Sequence, residues 1–308
     1  MITRRNIRIK VMQAIYTSIQ CPPTNLHNQL QKEVKNSLEK TKELYFYLTK
    51  TLVNVCYLAQ RESLRRAGKY VPSAEDLSIN TKLAGNTIIK TIMECEDYKA
   101  YNKTIKFNEM VDYDMIKQMY NTLLKTPEYL TYIANKNRNP QEEKEILNFI
   151  VSDIIFPSEF FEENTDNFFT NWDDDADMLR TILLAMIGKV DRFTISGLVG
   201  AEKNNFALEL ATAYASKVDY LEKLYVPKLK NWDEGRIAIL DKIIITMGLA
   251  EFLYFETIPV RVTMNEYIDL AKNYSTKQSG QFINGILDNI YKDLEANKQI
   301  VKKQLIKS

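Results

Sequence analysis

The stretch IPVRVTMNEYIDLAKNYSTKQSGQFINGILDNIYKDL, residues 258–294, repeats its apolar residues every three or four positions. This is the period of an amphipathic α-helix, and it predicts helices over residues 262–273 and 278–295. Between them, Ser275 followed by Gln278 has the S-x-x-Q form of a capping box. We therefore expect Ser275 to cap the second helix at its N-terminus.

Two features of the second helix need a physical reason. Glycine inside a helix costs about 1 kcal/mol relative to alanine, so Asn284-Gly285 predicts close packing against a neighbouring helix. Phe282 shares a face with Ile286 and Ile290, which is typical of a core residue. A ligand-facing role for Phe282 remains equally open at this stage.

The helical period continues along almost the whole chain. Strand-like alternation is hard to find, and only 9 glycines and 8 prolines among 308 residues favour long uninterrupted helices. Further helices are predicted over residues 3–20, 34–66, 80–96, 113–135, 141–155, 174–190, 203–225 and 233–254. The predicted fold class is all-α, a bundle of helices.

Composition excludes several classes of protein. The chain is 45% hydrophobic and 26% charged, and its net charge of +1 gives no global attraction to nucleic acid, so any basic surface must be local. Cys21, Cys56 and Cys95 are widely spaced, which argues against a disulfide framework or a zinc site. Because neither a signal peptide nor an 18-residue apolar run is present, we expect a cytoplasmic protein without a membrane partner. No cofactor and no metal site are predicted.

The first helix, RRNIRIKVMQAIY at residues 4–16, combines basic and apolar residues on one face. On a helical wheel Arg4 and Arg8 share the azimuth of Val11 and Ile15. Burying two guanidinium groups without a nearby acid is costly, and residues 1–20 contain no acid. We therefore expect the first two turns to project beyond the body of the protein. This predicted basic arm consists of Arg4, Arg5, Arg8 and Lys10.

Such an arm has the chemistry of a phosphate binder, since arginine forks match phosphate oxygens and counterion release adds free energy. Gln13 and Tyr16 follow on its flank. An amide that can bond a base edge and a ring that can stack on a base suit single-stranded RNA. An ordinary charged N-terminus with a core tyrosine also accounts for these residues, so composition leaves both interpretations open.

The middle of the chain contains an apparent repeat. Residues 160–179 align without gaps on residues 220–239, an offset of 60, and suggest a duplicated helix–turn–helix unit, although helical periodicity alone can produce such a match. The paired positions include Asn171-Trp172-Asp173 with Asn231-Trp232-Asp233, and Gly188 with Gly248.

Eight acidic residues, without any Lys or Arg, lie between Glu159 and Asp177. Acids are favoured at helix N-termini by the helix dipole. We therefore interpret this cluster as a solvated loop followed by helix starts, in preference to a site for a basic partner.

The C-terminal stretch and the first helix together resemble the NusB family of bacterial transcription antitermination factors. The family pattern of Pro-Val-x-Val, Asn-Glu and Leu-Ala-Lys-x-Tyr-Ser is matched here by Pro259, Val260, Val262, Asn265, Glu266, Leu270, Ala271, Lys272, Tyr274 and Ser275. The later family positions are matched by Ser279, Phe282, Asn284, Gly285, Leu287 and Asp288, and upstream ones by Trp232, Asp233, Arg236 and Glu251-Phe252-Leu253.

The resemblance implies a division of the chain. Residues 1–20 form the basic first helix of a NusB-like domain, and residues 201–308 form its core and C-terminal tail. Residues 21–200 have no counterpart in compact members of the family and are interpreted as a helical insertion or extension.

The resemblance also implies a function. NusB proteins are RNA-binding proteins that pair with NusE, a small-subunit ribosomal protein. The pair binds boxA, a single-stranded signal in nascent RNA, and the complex on RNA polymerase suppresses termination during ribosomal RNA synthesis. Here the NusE-like partner is expected to contact residues 203–254. Expected RNA contacts are Arg4, Arg5, Arg8, Lys10, Gln13 and Tyr16 in the first helix, and Gln278, Ser279 and Phe282 in the second patch.

Two other classes of protein are weighed against this one. A protein-interaction scaffold in transcription or ribosome assembly, with weak or no RNA binding, remains an alternative. An enzyme is not expected, because the chain has no Gly-rich cofactor loop, no CxxC motif and no paired catalytic set.

Overall fold

The computed structural model describes residues 1–71, 73–74, 79–104, 107–229 and 237–303. Within these ranges the regular structure is entirely helical and contains no strand, so the all-α prediction is confirmed. None of the described helices combines the length and apolar character needed to cross a lipid bilayer.

The helices follow one another with short connections. Their bounds are α1 Arg4–Gln20, α2 Leu26–Ala67, α3 Thr87–Glu94, α4 Glu96–Thr104, α5 Phe107–Met110, α6 Tyr113–Leu123, α7 Pro127–Ala134, α8 Pro140–Phe149, α9 Glu159–Phe168, α10 Trp172–Ile187, α11 Ala201–Tyr225, α12 Ile239–Tyr254, α13 Val260–Tyr274 and α14 Ser279–Ala296. A π-helical segment, Ile150–Ile155, continues α8, and the 3₁₀ segments are Val190–Arg192, Ser196–Leu198 and Val226–Lys228.

The chain divides into two compact units. One contains residues 39–199 with Met1, and the other contains residues 2–38 together with the chain from residue 200 onward. The first part of α2 belongs to the second unit because it packs on α11, where the Gln31 amide donates to the carbonyl of Leu208 at 2.9 Å. This division into compact units is a structural observation, and the interpretation of residues 21–200 as an insertion stays a prediction.

The unit of residues 39–199 is built around the second part of α2. Residues 44–53 of this helix are all buried, which requires neighbours on every side. The buried Glu143 of α8 joins neighbouring helices, since it accepts hydrogen bonds from Tyr132 Oη at 2.7 Å and from the Thr87 amide at 2.6 Å.

The other unit is organised around α12. Residues 243–252 of α12 are buried, and the helix contacts α1, α11, α13 and α14. A Cβ at Gly248 would lie 3.2 Å from Leu287 Cδ2, so α12 and α14 approach closely there. The close contact predicted at Gly285 is wrong, because a Cβ at that position would meet nothing within 4 Å.

Two sequence patterns, the acidic cluster and the apparent repeat, can be compared with the structure. Acidic residues of the cluster occupy the first turns of α9 and α10, and the segment expected to be a loop contains α9. The apparent repeat pairs Gly188 with Gly248, but the two glycines occupy different structural positions. Gly188 follows the end of α10, whereas Gly248 lies inside α12. Trp232 lies outside the described residues, and the duplication stays a prediction.

Candidate nucleic-acid interface

The first helix is capped and docked along its length. Thr3 and Asn6 form a reciprocal capping box, in which the backbone N–H of Asn6 donates to Thr3 Oγ1 at 3.3 Å and the backbone N–H of Thr3 donates to Asn6 Oδ1 at 2.9 Å. Ile7, Val11 and Ile15 are fully buried against the unit, and α1 packs on α11 and α12. The expectation that the first two turns project beyond the body is therefore wrong.

Arg8 is the clearest departure from the sequence prediction. Its side chain is only 2% exposed, and its Nε and Nη2 donate to the two carboxylate oxygens of Glu251, each at 2.8 Å. Its Nη1 lies 3.3 Å from Glu266 Oε2. No acid is present near Arg8 in the sequence, but the fold brings Glu251 of α12 next to it. This ion pair offsets the free-energy cost of burying the guanidinium group.

Glu251 is held by more than Arg8. Thr263 Oγ1 donates to one of its oxygens at 2.7 Å, and Tyr267 Oη donates to the other at 3.2 Å. Burial raises the pKa of Tyr267 well above its usual value. Burial alone would lower the pKa of Arg8, but the hydrogen bond with Glu251 and the electrostatic interactions with Tyr267, Glu251 and Glu266 together outweigh burial, and the pKa is raised. The cluster therefore joins α1, α12 and α13 through a fixed ion pair.

Lys10 also lies inside the unit, with an exposed fraction of 3%. Arg8 and Lys10 were expected to contact RNA, but neither side chain is presented to solvent. The physical reason is the same for both side chains. Helix α1 packs against the unit, and this packing buries residues on the side of the helix that faces the core and on its flanks.

Arg4 and Arg5 are at the surface instead. Their side chains are 40% and 36% exposed. Arg4 forms an ion pair with Glu202 of α11, and Arg5 Nη1 lies 3.2 Å from Asp269 Oδ2 of α13. Exposed pairs of this kind contribute at most about 1 kcal/mol, so both guanidinium groups can exchange a carboxylate for a phosphate.

The outward face of α1 carries Arg5, Gln13 and Tyr16. Successive helical residues are rotated by about 100°, which places these three side chains within an arc of about 80°. Gln13 is half-buried and Tyr16 is exposed. A cation, an amide and an aromatic ring therefore share one accessible face.

The second predicted patch begins α14. Gln278 is exposed, but it makes no side-chain cap, and Ser275 ends α13 instead of capping α14. The predicted capping box is therefore wrong. The buried Ser279 donates its hydroxyl to Asp241 Oδ2 of α12 at 2.8 Å, which makes it an internal contact, and Phe282 is half-buried.

A short run of α13 connects the two patches. Asp269, the partner of Arg5, lies 3.6 Å from Lys272 Nζ through its other oxygen. The first turn of α14 packs on the same lysine, since a Cβ at Gly280 would lie 2.9 Å from Lys272 Cγ. The exposed Lys272 matched the C-terminal pattern but was not predicted as a site residue. We call the three exposed cations, Arg4, Arg5 and Lys272, the basic strip.

Metal-binding chemistry is not indicated by the part of the chain that the structure describes. No group of three or more His, Cys, Asp or Glu side chains there is placed to hold a metal ion. The three cysteines are free thiols, with Cys21 exposed and Cys56 buried. Burial raises the pKa of the Cys56 thiol, which is the opposite of the shift found in reactive cysteines.

Comparison with known proteins identifies the second unit. The model of the NusB family matches residues 195–292, which include α11 to α13 and most of α14. A transcription antitermination protein NusB of Exiguobacterium sp. is 36% identical over 105 residues, which are 34% of this chain and 82% of that protein. No solved structure matches the chain.

Two further relatives carry the same name but are matched over less of their length. The protein of Methylacidiphilum infernorum is 49% identical over 65 residues, covering 21% of this chain and 46% of the relative. The protein of Thermodesulfovibrio yellowstonii is 39% identical over 89 residues, covering 29% and 59% respectively. The predicted resemblance is therefore confirmed for the C-terminal part, and the family match does not reach α1.

Proposed function

Because the chain belongs to the NusB family, we propose that it is an RNA-binding transcription antitermination factor. In this proposal it pairs with a NusE-like small-subunit ribosomal protein. The pair binds boxA-type single-stranded RNA within an RNA polymerase antitermination complex during ribosomal RNA transcription. The names of the relatives support the general role, and the surface of the second unit supports RNA as the ligand.

The observation that carries the proposal is the continuity of the basic strip with the outward face of α1. Arg4, Arg5 and Lys272 offer exposed cations to phosphates, and each forms a surface ion pair. Arg4 also lies 5.6 Å from the centre of the Phe206 ring, which orients its guanidinium. Tyr16 offers a ring on which a base can stack, and Gln13 offers an amide for a base edge. Arg8 holds this surface in place from inside, so its role is positioning.

A separate surface suits the protein partner. The middle of α11 and the end of α12 form an open groove of about 390 Å³, whose lining includes Leu208, Thr212, Tyr254 and Phe255. Tyr254, which lines the groove, and Tyr220 of α11 are both exposed, and aromatic residues are enriched at protein interfaces. This groove falls within residues 203–254, and we assign it to the NusE-like partner.

RNA affinity tests the proposal. Fluorescence anisotropy of a labelled boxA-type RNA, with the NusE-like partner present, is measured for wild type and an Arg4→Gln/Arg5→Gln variant at several salt concentrations. The matched control is Lys35→Gln/Lys40→Gln, which removes the same charge from exposed positions of α2. Loss of two phosphate contacts is expected to lower the slope of log K against log salt by about 1.4, whereas the control keeps the wild-type slope.

Equal binding by all three proteins contradicts the assignment of the RNA surface. No RNA binding by wild type, combined with capture of the NusE-like protein, favours the scaffold alternative. Replacing Leu208 by Lys provides the complementary variant, because it adds charge to the groove and is expected to release the protein partner while leaving direct RNA affinity unchanged.

A further inference from the structure

The unit of residues 39–199, which lies largely outside the family match, contains a partly enclosed cavity of about 420 Å³. Small-molecule sites typically have volumes of this order. Its described lining carries two cations, two amides and two phenols over an otherwise apolar wall, and no carboxylate. The polar lining residues are Lys50, Asn54, Arg61, Tyr98, Asn102 and Tyr113.

Lys50 provides a buried positive charge in the wall of this cavity. It is only 6% exposed, its Nζ donates to Asn102 Oδ1 at 2.8 Å, and it lies 5.9 Å from the centre of the Phe46 ring. Burial and the charge of Arg61 both lower the pKa of Lys50.

Arg61 provides a second cation at the mouth of the cavity. It is exposed, and its Nη2 donates to Asn54 Oδ1 at 3.2 Å, which directs the guanidinium along the lining. Tyr113, which also lines the cavity, donates its Oη to Glu62 Oε1 at 2.8 Å, and this hydrogen bond fixes the position of the ring. Cationic and apolar lining therefore occur together in one cavity.

We propose that this cavity binds a small organic phosphate. Its phosphate group is held between Lys50 and Arg61, with the amide of Asn54 or Asn102 as a further donor. Its apolar or aromatic body lies against the rings of Tyr98 and Tyr113. A bound dianion offsets the cost of holding two like charges near each other, one of them buried. This site is independent of the RNA surface and lies in the other unit.

Phenyl phosphate is the probe that combines the two features. Saturation-transfer NMR and thermal melting of the full chain are recorded with phenyl phosphate, phenol, phenylacetate and inorganic phosphate at up to about 10 mM, so that millimolar dissociation constants are detected. We expect saturable binding of phenyl phosphate and none of phenol. Weaker binding of phenylacetate identifies phosphate, not carboxylate, as the preferred head group.

Variants locate the binding. Lys50→Met keeps the buried stem and removes the charge, Arg61→Gln alters only the exposed mouth, and Lys40→Gln is the matched control on the exposed surface of α2. Each cavity variant is expected to weaken phenyl phosphate binding at least tenfold, and the control is expected to bind as wild type. Binding that survives Arg61→Gln unchanged, or no saturable binding by wild type, overturns the proposal even if Lys50→Met fails to fold.

Discussion

Replacing Arg8 by methionine tests whether the buried ion pair, and not an exposed arm, is the role of this arginine. The substitution keeps an unbranched side chain of similar length and removes the guanidinium. Glu251 then remains fully buried, with only the hydroxyls of Thr263 and Tyr267 as partners. Removing one partner of a buried pair costs about 3–5 kcal/mol, a large fraction of the stability of a typical domain.

The opposite half of the pair is expected to matter less. In Glu251→Gln, Arg8 still has Glu266 at 3.3 Å, and the glutamine carbonyl can accept one of the lost hydrogen bonds. We expect a loss of about 1.5–3 kcal/mol. In Arg8→Met/Glu251→Gln no charge is left unpaired by the pair itself, so the double variant is expected to lose about 2 kcal/mol less than the sum of the single variants.

Urea unfolding followed by circular dichroism gives the free energies of unfolding. Hydrogen exchange of peptides from α1 and α12 assigns the loss to the second unit. Arg5→Met is the matched control, because it removes the same group from an exposed pair with Asp269 and is expected to cost less than about 1 kcal/mol. Equal costs for Arg8→Met and Arg5→Met, or strictly additive single costs in the double variant, would show that the buried pair does not hold α1 in place.

Three other perturbations have defined outcomes. Gly285→Ala is expected to stabilise the protein by about 0.5–1 kcal/mol in thermal unfolding, since its Cβ enters open space, whereas Gly248→Ala, which crowds a buried leucine, is expected to destabilise it. Hydrogen bonds from Arg65 hold the pKa of Glu62 at about 2, below its ordinary 4.5. The stability it contributes is therefore present above pH 4.5 and lost as the pH falls towards 2, and Glu62→Gln is expected to flatten this dependence in urea midpoints. Lys272→Gln is expected to weaken RNA binding and to lower the salt slope by about 0.7 in anisotropy titrations, and an unchanged slope counts against its place in the basic strip.

The helical class follows from local sequence patterns, and most helix positions do too. The period of apolar residues located α11, α13 and α14 to within a few residues. The predicted helix over residues 113–135 is broken because Thr126 caps a new helix whose first residue is Pro127, a signal that was present in the sequence. Helix α9 was missed because its acids resemble a solvated loop, although Ser158 caps it through the Phe161 amide.

The candidate site was predictable in part. Its residue types were visible in the first helix, and the exposed Arg5 and Tyr16 lie where a wheel places them. The burial of Arg8 was not predictable, because its partner Glu251 is distant along the chain and becomes a neighbour only when α1 packs on α12. The link through Lys272 likewise depends on how α13 and α14 pack.

Photo-crosslinking most directly tests the claim that α1 and the start of α14 share one RNA-binding surface. A boxA-type RNA containing 4-thiouridine is irradiated with the full chain and the NusE-like partner, and crosslinked peptides are identified by mass spectrometry. We expect crosslinks in the peptide containing Tyr16 and in the segment from Lys272 to Phe282, both reduced by an excess of unlabelled RNA. Competed crosslinks confined to residues 39–199, or found on neither segment, would contradict the assignment of this surface.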